Sequence, residues 1–76
     1  MKRIHGRIDE PSEFVEYRPD TGKRRISIVI QKAGASWNIY KVWPGTKGKV
    51  QTLHRDILTL DIAETLGRAE AILLFD

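Results

Sequence analysis

The chain contains no cysteine. That absence removes disulfides, thiolate zinc sites and cysteine nucleophiles together, and with them the usual staple of small secreted domains. A cytoplasmic location is the expectation. Long apolar runs are also missing. The longest, AILLF at residues 71–75, is far too short to span a bilayer, and the charged opening MKRIHGRIDEPSEF leads into no apolar stretch of the kind a signal peptide needs. Neither export nor membrane insertion is expected. A third absence is local: residues 21–55 contain no Asp or Glu.

That acid-free segment carries eight cations: Lys23, Arg24, Arg25, Lys32, Lys41, Lys47, Lys49 and Arg55. The first twenty residues hold four basic and five acidic side chains, and residues 56–76 hold one Arg and five acids, so a net charge of +3 conceals a strongly basic middle. Strands disfavour Asp and Glu in any case. That accounts for the missing carboxylates but not for eight cations, whose combined field attracts polyanions. With 76 residues, 41% of them hydrophobic and 30% charged, the chain fits one small globular domain over residues 1–76.

The residue pattern places strands first and a helix last. KRIHGRI alternates with Ile4 and Ile8 on one side, and EFVEY puts Val15 and Tyr17 on one face, with the turn-like DEPS between them. RPDTGK has Pro19, Asp20 and Gly22 where a hairpin turn needs them. RRISIVIQK then sets Ile26, Ile28 and Ile30 against Arg25, Ser27, Val29 and Gln31, the clearest core strand in the chain. After Trp43, Pro44–Gly45 reads as a type II turn, and GKVQTLH supplies a further strand ending near His54.

The aromatics of SWNIYKVW depend on register. A two-residue turn at Ala33–Gly34 places Ile30 opposite Trp37, Ile28 opposite Ile39 and Ile26 opposite Lys41, and points Tyr40 to the other, polar face. A three-residue loop brings Tyr40 opposite Ile28 and exposes Trp37 and Trp43. Ala-Gly is not a favoured turn pair; the first register is nonetheless expected, because it gathers the large apolar groups on one face.

From residue 56 the period changes. Leu58, Ile62, Leu66, Ala69 and Leu73 recur at helical spacing, predicting a helix over about 58–74 whose start Asp61 and Glu64 could close as a capping box. Gly67 lowers its propensity by about 1 kcal/mol relative to alanine. The expected fold is α+β: an antiparallel meander of four to five strands over about 2–54, with one C-terminal helix packed on one face. Ile28, Ile30, Ile39, Leu58, Ile62 and Leu66 are expected between sheet and helix.

Catalytic motifs fail on context. HRD at 54–56 lacks the downstream Asn, the metal-binding Asp and the domain size of a kinase. GTKGK at 45–49 has Trp43 where a Walker loop needs its first glycine, and as a GXXG clamp it lies between strands rather than helices. His5 and His54 lie far apart, and a metal would need Asp9 or Asp56 as well. No serine stands at a strand-to-helix elbow beside a base. No enzymatic activity, cofactor or metal is expected.

Binding remains. The leading expectation is nucleic acid, single-stranded in preference, held by Arg24, Arg25, Lys41, Lys47, Lys49 and Arg55 through phosphates and by Tyr40 or a tryptophan through base stacking. In element order the chain resembles the repeats of Pur-type single-strand binding proteins and the arm-binding domains of tyrosine recombinases. No residue motif accompanies that likeness, so it assigns no site residue. The alternative is a small protein-interaction or inhibitor module. It could be homodimeric through Leu60, Leu74 and Phe75, which fall off the main helical stripe.

Overall fold

A computed structural model describes residues 1–7, 13–20, 26–43, 45 and 48–75. Five strands, β1 (Lys2–Arg7), β2 (Glu13–Arg18), β3 (Ser27–Ala33), β4 (Ser36–Trp43) and β5 (Lys49–Ile57), form one antiparallel sheet in the order of the chain, and the helix α1 (Leu60–Phe75) follows. The α+β meander read from the sequence is the fold. The turns expected at DEPS, at TGK and at Pro44 lie outside the described residues.

Alternation fixes which side of the sheet is covered. Val15 pairs with Ile30 and Tyr17 with Ile28, while Ile30 pairs with Ile39, so these side chains project to one face, where all are buried. The helix lies on that face, above β3 and against β2, β4 and β5. Trp37 and Ile57 are a buried cross-strand pair on the same side. On the opposite face stand Ile4, Phe14, Val29, Tyr40, Val42 and Val50, with no described element over them.

The β3–β4 register differs from the expected one by two residues. Ala33 pairs with Ser36, so the turn is Gly34–Ala35, and Gly34 takes the left-handed φ of 64° that a tight hairpin demands. An even shift leaves every side chain on its expected face: Trp37 and Ile39 point inward and Tyr40 outward. Ile39, not Trp37, faces Ile30.

The helix is rotated relative to the predicted stripe. Ala63, Gly67 and Ala71 are buried and Leu60, Leu66, Leu74 and Phe75 pack beside them, whereas Leu58, Ile62, Ala69 and Leu73 are exposed. Of the six residues expected between sheet and helix, Ile28, Ile30 and Ile39 are buried, Leu66 is half-buried, and Leu58 and Ile62 are not core. The reason is distance. A methyl group at Gly67 would lie 2.7 Å from Ile30 Cδ1 and 3.0 Å from Ile30 Cγ1, so this helix is set down on its smallest residues and its backbone approaches the isoleucines directly. A leucine stripe would hold it further off. Leu60, Leu74 and Phe75 are therefore part of the chain's own packing rather than a free patch.

The cap also differs. Thr59 Oγ1 accepts from the Ile62 N–H at 3.3 Å and the Thr59 carbonyl accepts from the Ala63 N–H, which makes Thr59 the N-cap rather than Asp61. β5 continues to Ile57 because two irregularities in its pairing with β4, between Trp37 and Ile39 and between Ile39 and Tyr40, absorb extra residues and turn Ile57 inward.

Candidate nucleic-acid interface

Lys41, Trp43 and Lys49 come together at the end of the β4–β5 hairpin. Lys41 and Trp43 are two apart on β4 and so share a face, and Trp43 pairs directly with Lys49 across the hairpin. The Lys41 ammonium lies 4.9 Å from the Trp43 ring centroid and that of Lys49 lies 4.8 Å away. Trp43 is half-buried, so part of the indole remains accessible between two cations. The residue pattern named both lysines and offered a tryptophan as the alternative to Tyr40 without choosing one, although the K-x-W spacing alone already puts Lys41 beside Trp43.

Tyr40 sits on the other face of the sheet, opposite Val29 on one side and Thr52 on the other. Its hydroxyl accepts a hydrogen bond from Asn38 Nδ2 at 3.1 Å, and Asn38 Oδ1 in turn accepts from the Asp56 N–H at 3.0 Å. Asp56 has φ 57°, a left-handed backbone at a break in the β5 ladder that Asn38 spans. Arg55, next to this break, is exposed. Arg24, Arg25 and Lys47 lie outside the described residues. The described part of the expected site thus divides in two: Lys41 and Lys49 with Trp43 at one hairpin end, and Tyr40 on the reverse face.

Several of the other described charges are paired among themselves. Arg3 forks onto Glu64 Oε1 through Nε at 2.7 Å and Nη2 at 2.6 Å, and the Tyr17 hydroxyl donates to the same oxygen at 3.3 Å. Burial and then the Glu64 carboxylate push the Tyr17 phenol above its ordinary value. The Glu64 hydrogen bond raises Arg3. Arg18 pairs with Glu16 at 3.0 Å, the Met1 ammonium with Asp20, His5 with Glu13 at 2.8 Å, and His54 with Glu70 at 3.5 Å. The two histidines occupy opposite edge strands, and no cluster able to hold a metal ion occurs among the described residues. Among those residues, no helix is long and apolar enough to cross a membrane.

Lys41 and Lys49 differ from these paired cations. Each rests against an aromatic face. An ammonium on an exposed ring is held by about 0.5–1 kcal/mol, less than a stacked base contributes, about 1–3 kcal/mol. No protein-family model, no curated protein and no solved structure matches the chain.

Proposed function

We propose that this protein is a non-enzymatic binder of single-stranded nucleic acid, with its contact surface at the β4–β5 end of the sheet. The observation that supports it is the half-buried Trp43 flanked by the Lys41 and Lys49 ammoniums. Trp43 is the stacking platform, and the two lysines bind the phosphates on either side of the stacked base. Lys47, in the connection between the same two strands, adds a third cation by sequence. Binding of this kind tolerates any base sequence, because every base has a π-face and every phosphate a charge.

Tyr40 is an aromatic of the reverse face, and in this reading it is secondary. The test is the anisotropy of a labelled random single-stranded oligonucleotide at low salt. Expected is saturable binding that weakens steeply as salt is added and is weakened by about 1–3 kcal/mol in Trp43→Ala. No anisotropy change at low salt, or undiminished binding by Trp43→Ala, would overturn the proposal.

A further inference from the structure

Helix α1 carries more apolar surface than its own sheet covers. Its core side is built from Leu60, Ala63, Gly67, Ala71 and Leu74. A second stripe, Ile62, Leu66, Ala69 and Leu73, runs along the neighbouring side with spacings of four, three and four residues. That is the seam spacing of paired helices. Ile62 is 54% exposed and Leu73 80%, and Leu58 and Ile72, flanking the stripe, are 79% and 44% exposed. Water-facing leucine and isoleucine at this density are unusual for the lone helix of a small domain.

We infer that this stripe is the contact between two copies of the chain, their α1 helices packed antiparallel about a twofold axis. The pattern complements itself. In an antiparallel pair centred between Gly67 and Arg68, Ile62 of each copy meets Leu73 of the other and Leu66 meets Ala69, so large residues face small ones at the middle and large ones close both ends. An isologous contact needs that reciprocity. The area is small. Ile62 and Leu73 carry most of the stripe's exposed apolar surface and Leu58 and Ile72 lie at its margins, so two faces together fall at or below about 1,000 Å², the low end for specific interfaces, and the dimer is of the weak, exchanging class. Charge does not oppose it: Glu70 is the one ionised group bordering the stripe on its sheet side, and it is paired with His54.

The stripe is carried by α1 and the Trp43 cluster by β4 and β5, so the inference stands independently of the proposed function. It is tested by sedimentation over a concentration series and by cysteine cross-linking, which the cysteine-free chain makes unambiguous. The wild-type mass should rise from 8.7 kDa towards twice that value with concentration. Leu73→Glu, at an exposed position, should stay monomeric with an unchanged circular dichroism spectrum. Ile62→Cys mixed with Leu73→Cys should form a mixed disulfide under oxidation, while neither variant alone cross-links, since antiparallel packing keeps like positions about eleven residues of helix rise apart. A wild type that is monomeric throughout, a Leu73→Glu variant that still dimerises, or efficient cross-linking of either single variant with itself overturns the inference.

Discussion

Gly67 of α1 rests on Ile30 of β3 so closely that a methyl group there would lie 2.7 Å from the isoleucine Cδ1. Ile30 is fully buried, so it has nowhere simple to turn. Alanine would favour the helix by about 1 kcal/mol, whereas overpacking of a filled core costs about 1–3 kcal/mol. Gly67→Ala is therefore expected to lose about 1 kcal/mol of stability in urea denaturation. In an Ile30→Val background, which removes Cδ1, the same substitution should be neutral or stabilising. Additivity of the two changes would show that the helix does not rest on that side chain.

The rotated helix makes a contrast that denaturation of dilute protein can check. Ile39→Ala, which empties a fully buried position, should cost about 2–5 kcal/mol. Leu58→Ala and Ile62→Ala should each stay within about 0.5 kcal/mol, as exposed substitutions do. Equal losses at Ile62 and Ile39 would restore the stripe that the sequence suggested as the core.

At Asp56 a non-glycine residue holds φ 57°. Left-handed backbone costs most side chains about 1–2 kcal/mol, and Asp somewhat less. Asp56→Gly should raise the melting temperature slightly, and Asp56→Val should lower it. Asn38→Ala should cost about 1 kcal/mol, since it removes the acceptor that holds the Asp56 N–H and the donor to Tyr40.

Tyr17 gives the stability a dependence on alkaline pH. Its phenol titrates above 10.0 in the folded protein, chiefly because it is buried and secondly because Glu64 is beside it. A raised folded value means the unfolded chain releases this proton first. The contribution is thus fully present below pH 10 and is lost as pH rises beyond it. Urea midpoints of wild type should fall over that range more steeply than those of Tyr17→Phe. Parallel curves for the two proteins would remove Tyr17 as the cause.

Charge and stacking separate in the binding experiment. Lys41→Ala and Lys49→Ala should each reduce the slope of log affinity against log salt by about 0.7, as loss of one phosphate contact from a single strand does. Trp43→Ala should weaken binding by about 1–3 kcal/mol with little change in slope. Tyr40→Ala, on the reverse face, should change neither much. If Tyr40→Ala is instead the damaging variant, the binding surface is the uncovered face of the sheet.

Legibility from residues followed the periodicity of each segment. Ile28–Val29–Ile30 and Trp37–Asn38–Ile39 alternate with period two, and strands of that kind assign their own faces; a register error of two at Gly34–Ala35 therefore left the core strands correct. The helix existed in the sequence as clearly, but two apolar stripes were written on it. Hydrophobicity favoured Ile62, Leu66, Ala69 and Leu73 over the row of Ala63, Gly67 and Ala71, whose residues bury little area each.

The alternating strands, the change to helical period after residue 56 and the acid-free basic middle are properties of neighbouring residues, and the sequence by itself determined them. Which helical stripe meets the sheet was decided only in three dimensions, because the winner is set by how near two backbones can come, and small residues win that comparison while losing every count of hydrophobicity. The same holds at the hairpin end. Lys41 and Trp43 were neighbours by alternation, but Lys49 reached the indole only through the length of the β4–β5 connection, and Tyr40 was carried to the far side of the sheet by standing one residue from Lys41.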